Sequence, residues 1–124
     1  YYGVPKFQVF DALSRGQDVV LKIDVQGAAT IKTIAPDALF IFIAPQNMHD
    51  LRLRLVSRKT ESETMLELRL QKAQEEIKKS YWFDFLVINR QDCLDSAVSE
   101  IESIASHERL RVAPNQQNQW SFLN

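Results

Sequence analysis

A single cysteine, Cys93, stands in 124 residues, so no internal disulfide can staple this chain. That composition suits a reducing compartment, the cytoplasm or an organelle interior. Cys93 itself reads as a small side chain near a helix start. The two histidines, His49 and His107, have no cysteine or histidine neighbours with zinc-ligand spacing, and both read as surface residues. No apolar stretch approaches the roughly 18 residues needed to span a bilayer. The longest, residues 38–45, has the length of a strand. Neither sign of charge dominates: 15 basic and 16 acidic residues are interspersed and leave a formal charge of −1. This balance argues against a general nucleic-acid or membrane surface and leaves binding of a small anion open. Internal repeats and low-complexity runs are absent. Tyr1-Tyr2-Gly3-Val4-Pro5 has no initiator Met, basic n-region or apolar h-region, so the sequence is expected to be a fragment, with any targeting information upstream.

Only three glycines and four prolines punctuate the chain, and most fall between regular segments. A helix is expected over 7–14, ended by Gly16. Residues 18–24, short, β-branched and mostly apolar, read as a strand buried on both faces. Val25-Gln26-Gly27 breaks it, and a short helix over 28–34 stops before Pro36, whose ring disfavours helical backbone at Ala35. Residues 39–44 are the clearest strand. A helix over 47–57 carries a basic face of Arg52, Arg54 and Arg58. Thr60-x-x-Glu63 has the capping-box pattern, so the longest helix should start there and run through Ile77. Residues 83–89 contain Phe85-Leu86-Val87-Ile88, read as a third buried strand, and 94–110 read as a final helix striped by Leu94, Val98, Ile101 and Ile104. Beyond it, 111–124 is a polar extension whose Trp120 and Phe122 dock elsewhere or remain loose.

Apolar strands alternating with helices imply an α/β fold with a parallel sheet and right-handed crossovers. Ligands in such sheets sit at the carboxyl ends of the strands. Asp24 stands at one such end, positioned to contact a substrate or a metal-bound water, or else to cap the next helix. The segment most suggestive of chemistry lies further on. Arg54 and Arg58 are four apart and share a helix face. Arg69 sits in the next helix, which the turn Thr60-Glu61-Ser62-Glu63 can fold back toward them. Guanidiniums keep their charge and offer planar forks of donors, so three together suit the charge that develops as a phosphoryl group moves. The alternative is a solvated basic face paired with Glu61, Glu63 or Glu67.

In order along the chain, these segments resemble the C-terminal part of guanylate kinase, over residues 1 to about 104. The resemblance is carried by Tyr2-Gly3 followed by Pro5, by Ile23-Asp24-Val25-Gln26-Gly27, and by Ile41-Phe42-Ile43-Ala44-Pro45. It continues through Arg54-Leu55, Arg58, Thr60-Glu61-Ser62-Glu63, Arg69-Leu70 and Ala73-x-x-Glu76, and ends with Phe83-Asp84-Phe85-Leu86-Val87-Ile88-Asn89. It implies a P-loop-kinase-like sheet with flanking helices and a helical lid at about 54–69, the core and lid spanning 1–110. The implied activity is transfer of the terminal phosphoryl group of ATP to GMP, with Mg²⁺ as charge partner. GMP and ATP are then the partners, and neither nucleic acid nor membrane is involved. Arg54, Arg58 and Arg69 would close over the phosphates as catalytic residues. Tyr2 would donate its hydroxyl to the GMP phosphate, Asp24 would lie near GMP and a metal-bound water, and Asn89 would touch the adenine edge. No residue is expected to ligate a metal directly.

Several positions depart from the family pattern. Val4 replaces a Ser or Thr hydroxyl that contacts guanine. Lys22 replaces an acidic residue, and a lysine donates where a carboxylate accepts from guanine N–H groups. Lys59 replaces a lid-turn glycine. Nothing in the sequence matches G-x-x-x-x-G-K-S/T, the loop whose amides and lysine hold ATP phosphates. The family's strand leading into that loop lies between those matched by 18–24 and 39–44. These residues alone are therefore expected to leave a gap in the sheet, to fold poorly and to be inactive. The second reading, favoured by Val4 and Lys22, is a non-catalytic guanylate-kinase-like module that binds a protein partner.

Overall fold

The computed structural model describes residues 6–58 and 62–109. Tyr2, Val4, the turn residues 59–61 and the extension 111–124 lie outside them. The elements are helix α1 (Lys6–Ser14), helix α2 (Val25–Ile34), strand β1 (Ile41–Pro45), helix α3 (Met48–Arg58), helix α4 (Glu63–Lys79), a single 3-10 turn (Ser80–Trp82), strand β2 (Phe85–Asn89) and helix α5 (Leu94–Glu108).

β1 and β2 pair in parallel, Ile41 opposite Phe85 through Pro45 opposite Asn89. Parallel neighbours need a long crossover, and α3, α4 and the 3-10 turn supply it. The register brings the two carboxyl ends, Pro45 and Asn89, side by side. Val87 is the most deeply buried side chain, 1% exposed, and α5 packs on its strand through the buried Ala97. Leu66 and Leu70, four apart on α4, are buried with Ala44 and Phe40. Around the start of β1, Phe40, Phe42, Trp82 and Phe83 meet edge to face or tilted, with centroids 4.2 to 6.2 Å apart. The Lys32 ammonium lies 5.1 Å and 5.4 Å from the Phe40 and Trp82 ring centroids, capping this cluster with a cation.

Three expectations need correction. Residues 18–24 form no strand. Strand structure requires backbone groups paired across a ladder, and among the described residues the sheet has only β1 and β2. The segment passes as unpaired chain, with Val20 92% exposed, and an ion pair from Arg109 to Asp18 ties its start to the end of α5. Val25-Gln26-Gly27 is no break but the first turn of α2, because Asp24 caps it. The helix after the lid turn is capped by Ser62, whose hydroxyl accepts from the Met65 amide, so α4 begins at Glu63 and not at Thr60. By contrast Gly16, at φ 76°, ends α1 as its backbone freedom suggests, and the helix after Cys93 stops at Glu108, two residues short of the expected end.

Candidate functional site

The carboxyl ends of β1 and β2 are where the topology concentrates chemistry, and α3 leaves from beside them. Its residue Arg54 reaches back across the sheet. Nη2 donates to the main-chain carbonyl of Asn89 at 2.6 Å, and Nε donates to the Gln91 side-chain oxygen at 3.3 Å. Two residues expected to act on the nucleotide from separate elements thus meet, Arg54 from α3 and Asn89 from the last position of β2. The contact uses the main-chain carbonyl of Asn89, not its side chain. Gln91 escaped the sequence reading. Its only signal was position, two residues past a strand end where parallel sheets place their ligands.

Arg58 is the last residue of α3, one turn beyond Arg54. Its side chain lies outside the described residues. Arg69 stands exposed on α4. Of the three acids that could pair with this basic face, Glu67 of α4 accepts from Arg52 Nη1 at 2.6 Å, joining α3 to α4. The hydrogen bond to the Glu67 carboxylate holds the Arg52 guanidinium above its ordinary pKa, with the Glu67 charge next; desolvation opposes them and Glu63 adds a smaller push upward. Glu67 thus pairs with Arg52, and the acceptors of Arg54 among the described residues are neutral. An open groove between α3 and α4, lined by Met48, His49, Arg52, Glu67 and Leu70 among others, contains none of the expected site residues.

Asp24 is exposed, with Oδ1 accepting the Gly27 amide at 2.7 Å while the Asp24 carbonyl accepts Ala28 at 2.8 Å. A Cβ on Gly27 would come within 3.1 Å of that Oδ1, so the tight cap favours glycine. Asp24 is thus a helix cap whose second oxygen has no hydrogen bond to the described residues. Lys22, two residues earlier, is also exposed. Among the described residues no three potential metal-ligating side chains cluster.

Comparison with known proteins matches this arrangement to one family. The pattern described as guanylate kinase covers residues 1–108. Guanylate kinase of Carboxydothermus hydrogenoformans is 43% identical over 111 residues, 90% of this chain and 53% of that protein. Guanylate kinase 2, chloroplastic/mitochondrial, of Oryza sativa subsp. japonica is 42% identical over 113 residues, 90% of this chain and 40% of its own. Guanylate kinase of Thermus thermophilus is 42% identical over 110 residues, 89% and 49% respectively. The chain spans about half the length of the curated relatives it matches. The matched span takes in the strand ends, the arginine helices and α5, and on that ground the chain belongs to the guanylate kinase family.

Proposed function

We propose that these residues form the lid and C-terminal core, over 1–110, of an ATP:GMP phosphotransferase that converts GMP and ATP to GDP and ADP. The loop that holds the ATP phosphates would come from residues outside this sequence. The observation that carries the reading is 43% identity over 90% of this chain with a protein named guanylate kinase.

In this reading Arg54, Arg58 and Arg69 surround the transferring phosphoryl group with donors that cannot lose their protons. They replace water with fixed positive charge as the charge moves toward the leaving oxygen. Tyr2 donates its hydroxyl to the GMP phosphate. The side-chain amide of Asn89 would touch the adenine edge, while its main-chain carbonyl accepts from Arg54. Mg²⁺ fits the donor set in one way. It keeps most of its waters and is held mainly by substrate phosphates with one or two carboxylates, so the open oxygen of Asp24 suits a contact through a metal-bound water. Bound with ATP, Mg²⁺ supplies positive charge against the phosphate oxygens. A reducing interior, cytoplasmic or organellar, suits the lone Cys93.

The test is ATP-dependent GDP formation by the intact gene product. Arg58→Ala and Arg69→Ala should each lower kcat by about a hundredfold or more, the scale for losing a preorganised donor to a transition-state anion. The 124 residues alone should form no GDP. Lys22 favours a second reading, a protein-binding module, because a lysine cannot accept from guanine N–H groups. Calorimetry with GMP separates the two. If neither the intact protein nor its Lys22→Glu variant binds GMP, the module reading stands.

A further inference from the structure

We propose that Gln91 is a positioning residue for Arg54, a role that rests on the phosphotransferase reading. The argument starts from which edge of the guanidinium is used. Nε and Nη2 lie along one side of that plane, and both are occupied, by Gln91 Oε1 at 3.3 Å and the Asn89 carbonyl at 2.6 Å. A guanidinium has five N–H donors. Of the remaining three, one on Nη1 and one on Nη2 form the end-on fork, and among the described residues no protein acceptor meets them. Such a fork matches two oxygens of one phosphate. The clamp on the side edge therefore fixes the direction in which the fork points.

The chemistry of the clamp matters as much as its geometry. Both acceptors are neutral, an amide oxygen and a main-chain carbonyl. They hold Arg54 without cancelling its charge, unlike the carboxylate of Glu67 on Arg52. Gln91 achieves this from the turn after β2, where Asp92 at φ 58° bends the chain toward α5. A carboxylate at position 91 would make the same hydrogen bond but would compete with the phosphate for Arg54.

The test uses the intact protein and its variants Gln91→Ala, Gln91→Glu, Arg54→Ala and the double variant Gln91→Ala with Arg54→Ala. Gln91→Ala should lower kcat about fivefold, with KM for GMP little changed, as expected for one lost hydrogen bond to a charged group felt in the transition state. In the Arg54→Ala background the same change should cost nothing further. The Arg54 Nε–H signal in ¹⁵N NMR should be protected from solvent exchange in the unmutated protein and in Gln91→Glu, and lose that protection in Gln91→Ala. Gln91→Glu should nevertheless lower kcat. An unmutated protein without activity overturns the phosphotransferase reading and this inference with it. An active protein in which Gln91→Ala lowers kcat equally in both backgrounds, or shifts only Tm, overturns the inference alone.

Discussion

The backbone amide of Phe40 donates to the Asp84 carboxylate at 2.8 Å, while the Phe40 carbonyl accepts the amides of Asp84 and Phe85 at 2.9 and 3.2 Å. This exchange sits one residue ahead of the first strand pair, Ile41 with Phe85, and a side chain thereby extends a parallel ladder backward. It ties residues 44 apart in sequence. Phe40 is 6% exposed, so its amide has little water to fall back on. Asp84→Ala should destabilise the intact protein by about 1 to 3 kcal/mol, the cost of leaving a buried donor without its charged acceptor. Asp84→Asn, which keeps an acceptor oxygen, should recover part of that. Urea unfolding of both variants checks it, and equal losses would remove the hydrogen bond as the cause.

Asp24 combines a structural and a proposed functional role that substitution can separate. Asp24→Ala removes the acceptor of the Gly27 amide and should cost about 1 kcal/mol of stability, the usual value of an N-cap. Asn is as good a cap, so Asp24→Asn should unfold at nearly the same urea concentration while losing the charge near the metal-bound water. A fall in kcat with unchanged stability in Asp24→Asn supports the functional role. Unchanged kcat would reduce Asp24 to a cap.

The Arg52–Glu67 pair joins the two lid helices, yet both side chains are well exposed, 41% and 64%. Exposed pairs are screened by salt, so the coupling between Arg52→Gln and Glu67→Gln in a double-mutant cycle should be small and should vanish at high ionic strength. Coupling that persists in high salt would mean that the pair holds α3 against α4 more firmly than its exposure suggests. Gln91→Ala, by contrast, acts through a half-buried guanidinium and should be insensitive to salt.

The described residues leave much apolar surface open. Val20 is 92% exposed, Phe7 81%, Leu86 60% and Ile43 53%, and β1 has a partner on one side only. Unpaired edges and apolar patches of this kind drive association. The 124 residues expressed alone should bind a hydrophobic dye and give a sedimentation profile that broadens with concentration. A sharp, concentration-independent monomer that binds no dye would show that the gap in the sheet closes on itself.

How far the sequence could be read depended on whether each signal was local. Residues 39–44 were readable because a run of Leu, Phe and Ile bounded by Pro45 leaves few options, and β1 falls within one or two residues of the expected strand. The same logic failed for 18–24. Its β-branched residues satisfy the pattern, but a strand is a pairing, and no described neighbour offers the ladder. Ser62 caps α4 because capping depends on which hydroxyl meets the first free amides, which Thr60-x-x-Glu63 spacing does not decide.

For the site, the residue types were set by the sequence alone: three arginines spaced on two helices, an aspartate ahead of a helix, an asparagine at a strand end, and a formal charge of −1. These follow from chemistry that each side chain carries wherever it is placed. Tertiary structure decided the partners. Only the parallel register of β1 and β2 brings the Asn89 carbonyl to Arg54 across 35 positions, and only the turn after β2 brings Gln91 to the same guanidinium. Likewise, only the packing of α3 on α4 gives Glu67 to Arg52 and leaves the Arg54 charge uncompensated among the described residues. Hydrogen bonds act over about 3 Å, and which groups lie within that range is settled by the packed chain, not by spacing along it.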